Sequence, residues 1–366
     1  MNILWFNWKD RDHPGAGGAE VVNEELAARL ASDGHTVVFI TAGFRGAQPQ
    51  TNRRGFRIVR VGSRFTSYFA AYSEYRARWR DWPDLVIDEC NTMPYFARFY
   101  TSGRQVLFFH MLCRKIWFYE FPPGLSLAGF LAEPLYLRLL HGRTPTIAVS
   151  SSTKLDLERH GFRPESIHLI SEGIELTPAP SLQALKKFPH PTLLGLGAMR
   201  AMKQTLHQIQ AFELARARIP NLKLMLAGDS SGAYGARVLE AIRRSPYRAD
   251  IQYLGPVSRA RKLELMQRCH ILLATSVKEG WCLVVTEAAS QGTPAVVYNV
   301  DGLRDSVRQN QTGLITAPKP AALAAAVTEL LADPSRYQQL RHAAWQWSRD
   351  LTFDRSYADF TRSLGL

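Results

Sequence analysis

The strongest constraint on this chain is an alternation of short apolar runs with longer helical patterns. Ile271-Leu-Leu-Ala274 reads as a buried strand, and Ala295-Val-Val-Tyr298 reads as a second. Between them the sequence predicts one helix, roughly from Cys282 to Gln291, stopped by Gly292 and barred from continuing by Pro294. A strand–loop–helix–strand unit of this kind belongs to a parallel sheet. The alternation recurs along the chain. Residues 2–6, 36–41, 57–61, 85–87, 105–109, 146–149 and 167–170 read as strands. After the linker Thr177-Pro-Ala-Pro-Ser181, residues 192–196, 222–227, 251–254 and 313–315 do so too. The fold class is therefore α/β, with two βα domains meeting near residue 176. Helices are expected over 65–80, 258–268 and 334–350, and an amphipathic one over 353–366 has Phe353, Tyr357, Phe360 and Leu364 on one face.

Composition narrows the class. With 366 residues and 46% hydrophobic content, the chain can bury two sizeable cores. Its four cysteines, Cys90, Cys113, Cys269 and Cys282, show no paired spacing, which argues against a zinc site or disulfide framework and fits a reducing compartment. Lys9-Asp-Arg-Asp12 ends the apolar N-terminal run too early for a signal peptide. No run approaches the ~18 apolar residues of a membrane span. The net charge of +13 points to anionic ligands or surfaces.

The chemistry centres on Glu279 and Glu287. Glu279 follows a strand, and Glu287 lies eight residues on in an apolar helix, so at ~3.6 residues per turn both can face one side. A carboxylate among Leu283, Val284, Val285, Ala288 and Ala289 needs a polar partner. Gly280 is read as opening the helix, which leaves the amides of Trp281, Cys282, Leu283 and Val284 free for an anion. Acid, bare helix tip, acid suits a sugar–diphosphate–ribose ligand. Near the N-terminus, His13-Pro-Gly-Ala-Gly-Gly-Ala-Glu20 precedes another helix, whose dipole favours an anion by Gly17 and Gly18. The dinucleotide pattern G-x-G-x-x-G would need a third glycine where Glu20 stands. His110 directly follows a strand, a position that faces the ligand crevice of parallel sheets.

The segment Glu279-Gly-Trp-Cys-Leu283…Glu287-Ala288…Gly292-Thr-Pro294 closely resembles the E-x7-E region of the family 4 retaining glycosyltransferases, with Trp281 and Cys282 as departures. The glycine-rich string at 13–20 resembles the start of many members. Gly197-Ala-Met-Arg-Ala-Met-Lys203 resembles their cationic loop, although Ala198 stands at the usual arginine place and Arg200 is the nearest replacement. Gly255-Pro-Val257 resembles the segment that holds the nucleotide base, and Glu172 and Glu175 depart from the usual P-N-G-[IV]-D. The resemblance implies the GT-B fold: Rossmann-like domains at 1–176 and 177–350 facing a central cleft, with helix 353–366 crossing back to the first. It implies a nucleotide-diphosphate sugar donor, UDP- or GDP-linked, a hydroxyl acceptor, retention at the anomeric carbon, and no metal or cofactor. By the same resemblance Lys203, Arg200, Glu279 and His110 are catalytic. Glu287, Gly280 to Val284, Gly197, Gly255 and Val257 hold the donor, and Gly17 and Gly18 line the acceptor or phosphate side.

Two other classes compete. A nucleic-acid-binding reading draws on the basic, aromatic span from Arg45 to Arg80, but explains neither glutamate nor the glycine loops. A nicotinamide-linked oxidoreductase lacks its glycine fingerprint. The same basic span, read as a helix over 65–80, suits an anionic membrane surface. A cytoplasmic chain, peripheral at the inner face of a membrane and acting on a lipid-linked or cell-envelope glycan, is the expectation; nucleic acid is not an expected partner.

Overall fold

The computed structural model describes residues 1–142 and 144–366. They divide into two compact units, one of Met1–Arg114, Ala128–Gly173 and Phe353–Leu366, the other of Lys115–Leu127 and Ile174–Thr352.

In the first unit, β1 (Asn2–Phe6), β2 (Thr36–Ala42), β3 (Gln50–Arg53), β4 (Phe56–Val61), β5 (Leu85–Cys90), β6 (Arg104–Phe109), β7 (Thr146–Ala148) and β8 (Ile167–Leu169) form one sheet. Its order is β3-β4-β2-β1-β5-β6-β7-β8, and all neighbours are parallel except the β3–β4 hairpin. Helix α1 (Gly18–Ser32) follows β1, and α2 (Ser67–Glu74) follows β4. Helix α3 (Trp117–Glu120) belongs to the second unit, and α4 (Pro123–Leu140) contributes its residues from Ala128 onward to the first. Helix α5 (Ser151–Arg159) is capped by Ser150, whose hydroxyl accepts from the Thr153 amide at 3.2 Å.

Departures from the sequence reading have local causes. The helix expected over 65–80 is α-helical only to Glu74 and then takes a π-helical turn over Tyr75–Trp79. Strand β3 is polar throughout (Gln-Thr-Asn-Arg) and half exposed, so no apolar alternation betrays it. Strand β5 runs three residues past the apolar trio Leu85-Val-Ile87 and buries Asp88, Glu89 and Cys90.

The second unit holds β9 (Thr192–Leu196), β10 (Lys223–Ala227), β11 (Ile251–Tyr253), β12 (Ile271–Ala274), β13 (Ala295–Tyr298) and β14 (Gly313–Thr316). All neighbours are parallel in the order β11-β10-β9-β12-β13-β14, the doubly wound arrangement in which strand order reverses beside β9. Helices α6 (Thr205–Arg216), α7 (Ala233–Arg244), α8 (Arg259–Arg268), α9 (Leu283–Ser290), α10 (Pro320–Ala332) and α11 (Pro334–Ser348) link or follow these strands. Proline in the first turn of α10 and α11 gives up an amide that has no partner inside the helix. The core is continuous from Leu193 and Leu194 through Ile271, Leu272 and Val296 to Leu323.

Helix α12 (Phe353–Leu364) packs on α1 within the first unit. It buries Phe353, Phe360 and Leu364, while Tyr357 keeps an edge in solvent and donates to Asp33 at 2.6 Å.

Candidate functional site

In the second unit a pocket opens at the C-terminal ends of β9, β10 and β12, where the strand order reverses. Gly197, Ala198, Met199, Lys203, Ala227, Thr275, Ser276, Cys282 and Val284 line it. Open parallel sheets take ligands at this point, because the loops leaving the two central strands diverge to opposite faces. Close backbone approach makes the floor: a Cβ on Gly228 would meet the Gly197 carbonyl at 1.9 Å.

Lys203 ends a short 3₁₀ turn, Ala201–Lys203. Its ammonium pairs with Glu279, which also accepts from Ser276 Oγ at 2.5 Å. Burial pulls the Lys203 pKa down, but the Glu279 carboxylate beside it outweighs that, so the net shift is upward and the side chain stays cationic at neutral pH. The Glu279 amide donates to the Asp301 carbonyl at 2.9 Å. Gly302, which the sequence reading passed over, permits this approach: its φ is +79°, and a Cβ there would meet the Glu279 carbonyl at 2.3 Å.

The helix after Glu279 starts within a residue of the expected Cys282, but Gly280 does not open it. Cys282, not Gly280, is its N-cap, and α9 starts at Leu283. The amides with no partner inside the helix are therefore those of Leu283, Val284 and their neighbours; Trp281 stands outside the first turn. Glu279 precedes the helix, so helical spacing does not relate it to Glu287. Glu287 is buried and finds its partner in Lys262 on α8, 2.6 Å away. Arg200 is held by Glu120, with contacts of 2.9 and 2.7 Å, rather than by Glu279. Its charge still acts on Lys203, lowering the pKa there. Gly255, at φ +67°, accepts from the Gly228 amide at 2.9 Å, and Val257 lies half-buried beyond it.

Cys282 adopts φ +83°, a region that disfavours any side chain with a Cβ. Its thiol is pushed up to about 12 by burial first and by Glu279 second, so it remains protonated. The backbone shape predicts that Cys282→Gly is more stable than Cys282→Ala by about 1 kcal/mol, measured by chemical denaturation. Equal stability would show that the turn tolerates a side chain without strain.

A second polar cluster lies in the first unit, again where the strand order reverses, here beside β1. His110 follows β6 and is 6% exposed; its Nε2 is 2.9 Å from Asn23 Oδ1 and 3.7 Å from Glu89 Oε1. Burial lowers its pKa to about 3, so it acts as a neutral hydrogen-bonding group and supplies no positive charge. Burial, reinforced by Glu20, raises the Glu89 pKa to about 8. Lys9 is 3.4 Å from Glu20. The Gly17 amide donates to Glu20 at 2.5 Å, so the chain's own carboxylate takes the anion position expected there, while Gly18 begins α1. Glu20 stands where a dinucleotide loop would need glycine. The residues missed by sequence reasoning, Ser276, Lys262, Glu120, Asn23 and Glu89, are partners rather than motif positions. Only the Asp88-Glu89 pair, directly after an apolar run, carried a readable signal.

Comparison with known proteins agrees with this architecture. The model for Glycosyltransferase Family 4 matches residues 16–177, and that for glycosyl transferases group 1 matches residues 183–347. A glycogen synthase of Mycobacterium tuberculosis (strain CDC 1551 / Oshkosh) is 30% identical over 181 residues, 49% of this chain and 43% of that protein, so the chain spans less than half the length of this curated relative. Sucrose-phosphate synthase from Thermosynechococcus elongatus superposes with a TM-score of 0.81 at 19% identity, covering 99% of this chain and 98% of the other. The Anabaena protein HepE, crystallised with UDP-glucose, superposes with a TM-score of 0.75 at 15% identity, covering 100% and 99%. At these identities the structural likeness carries the fold. With two mostly parallel α/β units and both family models matched in order along it, the chain belongs to the group 1 and family 4 glycosyltransferases and has the GT-B fold.

Proposed function

We propose that the chain moves a hexose-type sugar from a UDP- or GDP-linked donor to a hydroxyl acceptor, with retention at the anomeric carbon. The observation that carries this reading is Lys203, held cationic by Glu279 at the rim of a strand-end pocket that the start of α9 also lines. A diphosphate needs cations and amides aimed at its oxygens, and more so as it departs with added charge. Lys203 and the Leu283 and Val284 amides supply them, so the reading requires neither metal nor cofactor. Glu279 exchanges part of its contact with Lys203 for sugar hydroxyls. Glu287, steadied by Lys262, takes the ribose, and Gly255 with Val257 borders the base. Arg200 adds a second cation when it leaves Glu120. In the first unit, His110, neutral and anchored to Asn23, hydrogen-bonds a hydroxyl, with Gly17 and Gly18 nearby in the loop that begins α1. The HepE structure with bound UDP-glucose supports a nucleotide-sugar donor by analogy of fold.

The acceptor class includes lipid-linked and cell-envelope glycans, and the reading extends to a cytoplasmic chain peripheral at an anionic membrane. No helix among the described residues is long and apolar enough to cross a membrane. Nucleic acid is disfavoured as a partner, because Arg53, Arg54 and Arg60 from the basic span are engaged by Asp12, Glu24, Glu25 and Asp10.

The test is a thermal-shift screen of the full chain against UDP- and GDP-sugars, followed by product analysis. At least one nucleotide sugar should raise the melting temperature, and NMR of the product should show the donor's anomeric configuration preserved. No shift with any nucleotide or sugar nucleotide would remove the donor assignment, and an inverted product would remove retention.

A further inference from the structure

Helices α2 and α4 cover the same face of the first sheet. Residues in register on neighbouring parallel strands point to the same side. Phe6 pairs with Asp88, and Asp88 with Leu107, so Phe6 and Leu107 share a face. Ala71 and Tyr75, at the inner side of α2 and just beyond it, pack in one cluster with Phe6; Tyr136, Leu137 and Leu140 of α4 pack in another with Leu107. The segment between the helices joins them, Tyr95 packing tilted against Tyr68 at 4.7 Å and Phe96 meeting Tyr136 edge-on at 6.0 Å. The outer sides of α2, this segment and α4 thus form one continuous surface.

That surface is apolar. Phe65, in the turn just before α2, and Phe69 and Tyr72 on it lie three to four residues apart, and Leu131, Leu135 and Leu139 recur along α4, all between 44 and 80% exposed. Phe99 lies between them, 58% exposed. Large side chains grouped in this way on a soluble surface mark an interaction site. The flanking charge has one sign. Arg76 continues the α2 stripe by one turn, Arg138 adjoins Leu139, and both are exposed. Helices α2 and α4 contain two acids, and both are occupied: Glu74 accepts from Trp79 and Arg78, and Glu133 is buried, accepting from the Cys113 and Arg114 amides at 2.7 Å. The arginines at 53, 54 and 60, which the sequence puts in the same basic span, are taken up in ion pairs and contribute nothing here.

We propose that this face, Phe65, Phe69, Tyr72 and Phe99 with the leucine stripe of α4, docks the protein on an anionic lipid bilayer. Apolar side chains enter the acyl boundary while Arg76 and Arg138 meet lipid phosphates, the arrangement of an interfacial helix pair. The proposal deepens the membrane-associated part of the proposed function and rests on that reading, but it concerns the outer layer of one unit and not the sugar-nucleotide pocket.

The experiment is co-sedimentation of the full chain with vesicles of phosphatidylglycerol and phosphatidylcholine, beside vesicles of phosphatidylcholine alone. Wild type should pellet with the anionic vesicles and at least tenfold less with neutral ones. The variants Phe69→Ser with Leu135→Ser, and Arg76→Glu with Arg138→Glu, should each weaken binding at least tenfold with unchanged melting temperature. No binding to anionic vesicles, or binding untouched by both variants, overturns the proposal. So does a concentration-dependent dimer, seen by sedimentation, that the apolar variant abolishes, because the face then serves a second copy of the chain. Nucleotide-sugar binding by thermal shift is measured on the same samples: its loss in wild type indicts the transferase reading alone, and the vesicle result indicts the docking face alone.

Discussion

Lys203→Ala is expected to lower sugar transfer by roughly 10²- to 10³-fold, the cost of removing one fixed donor aimed at developing charge. The loss should fall on the chemical step more than on donor affinity, because the amides at the start of α9 still meet the ground-state diphosphate. Stability changes too, for a separate reason. Glu279 is nearly buried and loses its cation, keeping only the Ser276 hydroxyl and any water that enters. The Lys203 side chain is 31% exposed, so solvent softens the penalty to about 1–3 kcal/mol, short of unfolding. The two effects separate in the double variant Lys203→Met with Glu279→Gln. It removes both charges, so melting temperature should return towards wild type while transfer stays low. Turnover of Lys203→Ala close to wild type, measured as nucleoside diphosphate release with acceptor present, would show that the cation serves the fold and not the reaction.

The same pair shows what the sequence made legible. Glu279 was legible from its place just past the apolar run that ends at Ala274, whereas Lys203 was identified only because its loop, Gly197 to Lys203, resembles the family's cationic segment. Strand ends are local signals, and a parallel sheet gathers them at one edge. That Glu279 would hold Lys203 could not be read, because 76 residues separate them and no local rule pairs them. The same holds for Glu287 with Lys262 and Arg200 with Glu120. The misassigned opening residue of α9 has a different origin. Glycine at 280 suggested a helix opening, whereas the backbone turns at Cys282 with a positive φ, an unusual place for a side chain with a Cβ. Helix α4 escaped notice because Pro134 interrupts its apolar run and its leucines face outward as well as inward, so it shows no single stripe. Local chemistry was readable, and long-range pairing and outward apolar faces were not.

Phe360→Ala is expected to destabilise the first unit by about 3–5 kcal/mol, the usual cost of emptying an aromatic site in a packed core. Phe360 is fully buried although it lies only six residues from the C-terminal residue, Leu366. Its ring stacks on Trp5 of β1, with centroids 5.7 Å apart and planes within 6°, and meets Phe108 of β6 at 6.1 Å. Trp5 in turn packs on Phe39 of β2 at 5.2 Å, so one side chain of α12 secures aromatic rings from three strands. Removing it opens a void that these rings cannot close without leaving their rotamers, and stacking is lost in addition to buried area. At roughly 3 °C per kcal/mol for a unit of this size, the melting temperature should fall by about 10 °C. Tyr357→Phe on the same helix provides the control. It removes the hydrogen bond to Asp33, an exposed contact, and should cost about 1 kcal/mol or less. If both variants melt within a degree or two of wild type, α12 is an appendage to the unit and not part of its core. A large loss in Phe360→Ala alone identifies the last helix as the element that closes the β1–β2–β6 face.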